Sequence, residues 1–249
     1  MLSRPHLSIV IPAYNEQDRL PASLERIDTY LQKHGIAGEI LVVDDGSNDR
    51  TAELAAEFLK ERRGRVISLV ENLGKGAAVR RGVLDSQGRW VLMTDADLSA
   101  PIEEHLKLAA TARDEDADIV IASRGLKESQ IEIRQAWVRQ TMGQTFNVLM
   151  RGMTGLPFKD SQCGFKLMDR KRVLPLFEKM VIDRFAFDIE LLFLAVRYGL
   201  TVREIPVVWR NAPDSRVNMF IDPIIMLWDI ARIRWRFRRG AYNPELPDP

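Results

Sequence analysis

Cysteine is nearly absent from this chain. Cys163 is the only one in 249 residues, so an intramolecular disulfide is excluded and a cysteine-built zinc site has no ligands to draw on. The three histidines, His6, His34 and His105, are too scattered to suggest a metal cluster. Net charge is lacking too: 36 Lys and Arg against 35 Asp and Glu leave +1, which removes the global electrostatic case for binding nucleic acid. No apolar run approaches the roughly 20 residues of a membrane span. The polar start, Met1 to Pro5, runs straight into a strand-like segment and shows no signal-peptide pattern. No G-x-G-x-x-G follows the first apolar run, and Walker A spacing is absent, which argues against a dinucleotide dehydrogenase and a P-loop enzyme. What is plentiful is apolar residues, 46% of the chain, enough for the core of one large α/β domain and too many for a disordered chain. A cytoplasmic enzyme is the first expectation. One local feature resists it: five arginines fall between Arg232 and Arg239.

The first half alternates strand-like and helix-like segments. Strands are predicted at Leu7–Ile11, Ile40–Val43, Val66–Val70, Trp90–Thr94 and Ile119–Ala122. Helices are predicted at Leu20–Leu31, Thr51–Leu59 (with Ser47 or Asp49 to cap it), Gly76–Asp85 and Ile102–Arg113. This rhythm predicts a mostly parallel, doubly wound sheet with helices on both faces. Beyond Arg124 the rhythm changes. Ser129–Met150 is compatible with a long helix, Phe165–Met168 with a short strand, Phe187–Tyr198 with a buried helix, Val202–Trp209 with a late strand and Met219–Arg239 with a final helix.

In an open parallel sheet, ligands bind at the carboxyl ends of the strands. Three predicted ends carry polar clusters: Pro12-Ala13-Tyr14-Asn15-Glu16, Asp44-Asp45-Gly46-Ser47 and Asp95-Ala96-Asp97. On an extended backbone the two carboxylates of the last would point the same way, and hard oxygen ligands suit Mg²⁺ or Mn²⁺ bridging a diphosphate. Alone, the pair reads more readily as an acidic loop capping a helix, and Asp44-Asp45-Gly46 as a turn with Gly46 at positive φ. Asn72-Leu73-Gly74-Lys75-Gly76 follows the third strand, where small residues let backbone approach a ligand and Lys75 can neutralise phosphate or hold a base.

Taken together, these blocks resemble the family 2 inverting glycosyltransferases, which have a GT-A fold. The matching strings are Ile9 to Glu16, Val42 to Ser47 with Asp49 and Thr51, Asn72 to Gly76, and Asp95-Ala96-Asp97. In the second half, Asp160 to Lys166, Phe187-Asp188 with Glu190, Glu204 to Trp209 and Ser215-Arg216-Val217 look like the polyprenyl-phosphate (dolichyl-phosphate) β-glucosyltransferase branch. The resemblance covers residues 7 to 239 and implies a GT-A domain over 1–216, with 217–249 as a C-terminal appendage. It implies that Pro12, Tyr14 and Glu16 line the nucleotide site, that Asp44 binds the base with Lys75 beside it, and that Asp95, Ala96 and Asp97 form the D-x-D. Asp97 is then the more direct ligand of Mg²⁺ or Mn²⁺. Arg216 is expected at the diphosphate or acceptor phosphate, and Arg124, Arg134 and Arg139 at the lipid phosphate. Ser99 stands where some mannose-transferring relatives place a metal-contacting Gln, and the membrane helices of other relatives are lacking.

The implied reaction is attack of a polyprenyl phosphate oxygen on the sugar C1, with UDP leaving from UDP-glucose. A phosphate acceptor, with a second pKa of about 6, is largely ionised at neutral pH and needs no strong base. Asp160 is read as orienting the acceptor, as a base if the acceptor is a hydroxyl, or as a structural cap before Gly164. Glu190 is expected in a structural salt bridge, and Asp188 near sugar hydroxyls. GDP-mannose or UDP-N-acetylglucosamine as donor, a saccharide hydroxyl as acceptor, and a non-catalytic nucleotide-sugar-binding protein are the competing readings. Met226, Ile230, Ile233 and Phe237 form an apolar stripe on the final helix, with Arg232, Arg236 and Arg239 elsewhere on it and Trp228 and Trp235 suited to an interface. Such a helix either packs on the domain or lies on an anionic membrane. A lipid acceptor favours the membrane, which makes the expectation a peripheral protein on its cytoplasmic face. Self-association is left open.

Overall fold

Apolar residues fill both faces of the first strands. In β1 (Leu7–Ala13) every residue is buried, and β2 (Gly38–Asp44) is buried from Glu39 onward. Such runs belong to a sheet covered by helices on both sides. The computed structural model, which describes residues 5–133, 148–210 and 221–243, contains that sheet. The other elements are α1 (Leu20–Lys33), α2 (Thr51–Leu59), β3 (Gly64–Ser68), α3 (Lys75–Asp85), β4 (Trp90–Met93), a 3₁₀ turn at Ile102–Glu104, α4 (His105–Asp114), β5 (Ile119–Ser123), β6 (Gln130–Ile133), β7 (Lys166–Asp169), α5 (Arg170–Lys179), α6 (Phe187–Arg197), β8 (Val202–Pro206), β9 (Val208–Arg210) and α7 (Asp222–Arg238). Residues 148–154 are also helical.

The sheet order is β3-β2-β1-β4-β7-β5-β8, and β7 alone runs antiparallel to its neighbours. Alternate strand residues face opposite layers. Val10, Val43, Met93 and Ile121 share one core with α3, α5, α6 and α7. Ile11, Val42, Leu92 and Val120 share the other with α1, α2 and α4. Each such side chain, fully buried, contributes roughly 1.5–3 kcal/mol. All three polar clusters therefore lie at one edge, where β1, β2 and β4 end side by side.

The second half departs from expectation in several places. Instead of a helix beginning at Ser129, Gln130–Ile133 forms β6, which pairs in parallel with β9. The alternation Gln-Ile-Glu-Ile is a period-two pattern that overrides the longer helical one; residues 134–147 lie outside the described residues. The predicted strand Val202–Trp209 is two strands in two sheets, broken after Pro206, which has no N–H to donate. The strand predicted to reach Val70 stops at Ser68, and Val70 is exposed. Helix α5 went unread because Pro175 sits inside it; Asp169 starts it by accepting the Arg172 N–H at 3.3 Å.

The apolar stripe of α7 also faces the other way. Met226, Ile230 and Ile233 are buried in the core. Phe237 packs edge-on against Phe193, with ring centroids 5.3 Å apart, and against Tyr198 at 6.0 Å. The stripe is thus a packing face, not a membrane face. No described helix is long and apolar enough to cross a membrane.

At the base of the second core, the Tyr30 hydroxyl and His105 Nδ1 are 2.7 Å apart and both residues are buried. Burial, helped by His6 and His34, pushes the His105 pKa down to about 4 from 6.5. The unfolded chain therefore takes up this proton first as pH falls. Its contribution is complete above pH 6.5 and is lost progressively toward pH 4, a loss of about 3 kcal/mol at about 1.4 kcal/mol per pKa unit. Urea unfolding as a function of pH is expected to show this decline, and His105→Gln, neutral throughout, to flatten it.

Candidate active site

The loop after β1 is locked onto the loop after β2. Asn15, at φ 52°, donates its N–H to Ser47 Oγ at 2.9 Å, and the Glu16 N–H donates to Thr51 Oγ1 at 2.7 Å. Asn48 returns a bond to Asn15 Oδ1 at 2.8 Å. Asp49 accepts the Thr51 N–H at 2.9 Å, but the N-cap position of α2 is Arg50, which makes no side-chain capping bond, so the cap expected from Ser47 or Asp49 is not formed there. Of the residues expected to line the nucleotide site, Pro12 is buried within β1 opposite Val43, Tyr14 is half-buried, and the Glu16 carboxylate is gripped by Arg19 at 2.7 Å.

Asp44 and Asp45 divide the work at the end of β2. Asp44 is buried and accepts the Ser47 N–H at 3.3 Å. Asp45, whose part sequence reasoning missed, accepts the N–H groups of Leu73 and Gly74, each at 2.9 Å. Burial pushes its carboxyl pKa up, against the pull of those two amides. Gly46, at φ 68°, leaves no room for a Cβ, which would sit 2.6 Å from the Glu71 carbonyl carbon. The loop after β3 is thereby stapled to the loop after β2. Its other side rests on the segment before α6: the Ala77 N–H donates to the Asp183 carbonyl at 3.0 Å, and a Cβ on Gly76 would meet the Ile182 carbonyl at 2.5 Å.

This double support aims Lys75, the first residue of α3, at the D-x-D. Lys75 Nζ lies 2.6 Å from Asp95 Oδ1. The D-x-D occupies a turn after β4, not extended backbone: Leu98, at φ 47°, donates its N–H to the Asp95 carbonyl at 3.1 Å. Ser23 of α1 steadies that turn through the Ala96 carbonyl at 2.6 Å. Asp97 Oδ1 accepts the Ser99 N–H at 2.9 Å. The half-buried Asp95 and Asp97 are hard oxygen donors that fit a divalent cation, with Asp97 the less committed because Asp95 already faces Lys75. Among the described residues no third acidic, His or Cys side chain joins them, so diphosphate oxygens and water would complete the coordination.

Behind Asp95 lies a chain of alternating charge. A Cβ on Gly164 would fall within the Asp95 carboxylate, so only glycine permits this approach. Lys166, fully buried in β7, donates to the Cys163 carbonyl and to Asp188 Oδ1, both at 2.5 Å. Burial raises the Asp188 pKa, opposed by Lys166 and Lys75. Burial would lower that of Lys75, but Asp95 and Asp188 hold it above its usual value. The salt bridge expected of Glu190 on α6 is therefore made by Asp188 instead. Glu190 accepts the Val181 and Ile182 N–H groups and, at 2.6 Å, the Tyr242 hydroxyl. Burial also pushes the Cys163 thiol up to about 12, which leaves it inert.

A second ion pair flanks the first. Arg124 donates Nε and a terminal nitrogen to Asp160 at 2.6 and 2.8 Å, and its backbone N–H at 2.9 Å. Burial would raise the Asp160 pKa, but Arg124 keeps it below the ordinary carboxylate value. The Arg124 guanidinium also lies 4.8 Å from the Trp209 ring centroid. Glu204 of β8, another residue that sequence reasoning left without a role, sets Asp160 in place by accepting its N–H at 2.8 Å and that of Lys159 at 2.9 Å. Its signal was its place at the head of the Glu204–Trp209 string, on a strand that also carries Arg203. Arg134, Arg139 and Arg216 lie outside the described residues.

Comparison with known proteins identifies the family and the fold. The family model described as glycosyl transferase family 2 matches residues 8–173. A dolichyl-phosphate beta-glucosyltransferase of Dictyostelium discoideum is 33% identical, over 96% of this chain and 76% of its own length. Its counterpart in Mus musculus is 35% identical, over 95% and 77%. Among solved structures, glucosyl-3-phosphoglycerate synthase from Mycobacterium tuberculosis shares the fold at 19% identity. In its complex with Mn²⁺ and UDP-glucose it superposes with a TM-score of 0.63, covering 98% of this chain and 80% of its own. With the D-x-D at the end of β4 and the glycine loop facing it, the chain belongs to glycosyl transferase family 2, and it is a glycosyltransferase.

Proposed function

We propose that the protein transfers glucose from UDP-glucose to the phosphate of a dolichyl-type polyprenyl phosphate, with inversion at C1. The observation that carries this reading is the convergence of Lys75, Asp95 and Asp97 with the Arg124–Asp160 pair at one edge of the sheet. Similarity to dolichyl-phosphate beta-glucosyltransferases over nearly the whole chain supports the substrates.

An acceptor phosphate oxygen forms the new bond to C1 while the bond from C1 to the diphosphate breaks and UDP leaves. No proton has to be removed, because the acceptor is largely ionised. Catalysis then rests on positioning and charge stabilisation. Asp95 and Asp97 would hold Mg²⁺ or Mn²⁺, which when bound neutralises charge growing on the leaving diphosphate. Lys75 adds a fixed positive charge beside Asp95, and Arg216 is assigned to the diphosphate or the acceptor. Arg124 presents its charge to the lipid phosphate while Asp160 and Trp209 hold its plane; Arg134 and Arg139 are assigned to the same phosphate. A saccharide hydroxyl acceptor would need a free base, and Asp160 is committed to Arg124. The lipid acceptor places the protein at a membrane surface, on the cytoplasmic face where nucleotide sugars are made.

Nucleotide release is the direct test. UDP is expected from UDP-glucose only when polyprenyl phosphate and Mg²⁺ or Mn²⁺ are both present, and release should stop with EDTA. Asp97→Ala should lower kcat by on the order of 10²–10³-fold; full activity in that variant would remove the cation from this site. Preference for GDP-mannose or UDP-N-acetylglucosamine in a donor panel would overturn the sugar assignment.

Asp160→Asn separates positioning from base catalysis. As a positioning residue it should raise the acceptor KM by about tenfold, with kcat and its pH profile nearly unchanged. Complete loss of turnover, together with loss of the acidic limb of the pH profile, would instead identify a general base.

A further inference from the structure

Helix α7 is apolar on two opposite faces. The inner one is packed away, as described. The outer one carries Ile224, Trp228 and Trp235, exposed at 69%, 75% and 53%. These residues follow one another at intervals of one and two helical turns, so they share a face. Arg232, Arg238 and Arg239 are exposed along its margin, and the Arg239 guanidinium lies 4.3 Å from the Trp235 ring centroid. The two carboxylates of the helix, Asp222 and Asp229, are half-buried and away from this face. Exposed indoles of this size, which no element among the described residues covers, mark an interaction surface.

We propose that the outer face of α7 is the surface by which the protein docks on an anionic lipid bilayer. Tryptophan and isoleucine flanked by arginine, with no carboxylate between them, complement the headgroup boundary of such a membrane. The same charges argue against pairing with a second copy, since a two-fold contact would set arginine against arginine. The helix also reaches the acceptor side of the active site: Gln162, two residues from Asp160, donates Nε2 to Met226 Sδ at 3.9 Å. Farther along, Arg234 donates to the Met153 carbonyl at 2.5 Å, tying α7 to the helical segment 148–154, whose first residues, Val148 and Leu149, are themselves exposed. The bilayer as occupant rests on the proposed lipid-phosphate acceptor; the surface itself does not.

The test uses the full chain with phosphatidylcholine vesicles, with and without phosphatidylglycerol, read by co-sedimentation. The wild type is expected to bind only the anionic vesicles and to be released by salt. Brominated lipid should quench its tryptophan fluorescence. The double variant Trp228→Ser with Trp235→Ser should bind at least about tenfold more weakly and lose most of the quenching, as should Arg232→Glu with Arg239→Glu. Both variants should keep wild-type sugar transfer to a short-chain, water-soluble prenyl phosphate, which also shows that they fold. Equal vesicle binding by wild type and variants, or no binding by wild type, would overturn the proposal. So would a wild-type dimer that the tryptophan variant converts to monomer. Failure of wild type to glucosylate the soluble acceptor would count against the reaction alone and leave the vesicle result standing.

Discussion

Lys166 is a cation with no exposed surface, and much of the site is arranged around that constraint. It sits in β7, the one strand that runs against the rest of the sheet, between β4 and β5. A buried ammonium must be paired and hydrogen-bonded, and removing its partner costs about 3–5 kcal/mol. Asp188 and the Cys163 carbonyl supply that compensation. Meeting it fixes α6 against the sheet, and the segment leading into α6 in turn supports the glycine loop that carries Lys75. The charges then alternate from the core outward, from Lys166 to Asp188, Lys75 and Asp95. Each is held by its neighbours, and the last faces the space where a diphosphate would bind.

Pre-pairing of this kind suits a reaction in which the protein moves no proton. Fixed charges stabilise a leaving diphosphate best when they need no reorganisation at the moment of reaction. Lys75 is held by Asp95 and Arg124 by Asp160 before any ligand arrives. The supporting bonds lie one shell farther out, from Asp45 to the glycine loop and from Glu204 to the Asp160 backbone. Fixing an orientation through backbone amides leaves the side chains that face the ligand free for it.

The parts legible in the sequence are those with local signals. The continuous apolar runs of β1 and β2, the short polar strings at their ends and the glycine loop each occupy a few consecutive residues. Their order along the chain fixes which sheet edge they share. What was not legible depends on contacts distant in sequence. Phe165–Met168 reads as a strand, but nothing in four residues says that it runs antiparallel between β4 and β5. Asp44 and Asp45 are chemically identical neighbours, and only the position of Leu73 and Gly74 separates their roles. The salt bridge expected of Glu190 fell to Asp188 for the same reason, since their partners lie at Tyr242 and on β7. Gln130–Ile133 satisfied both helical and strand patterns, and its pairing with β9 decided between them.

Helix α7 carries that lesson furthest. A stripe at helical spacing identifies an apolar face but not what covers it, and the stripe of Met226, Ile230, Ile233 and Phe237 is covered by this chain's own core. Once that face is accounted for, Trp228 and Trp235 can no longer be explained by packing inside the domain. Placing Met226 against Gln162 fixes the helix two residues from Asp160, so its other face points away from the core on the side proposed for the lipid phosphate. The inner stripe thus sets the orientation of the outer one. On the proposed docking, a substitution that loosened Ile230 or Ile233 would weaken vesicle binding while leaving the outer residues Ile224, Trp228 and Trp235 unchanged.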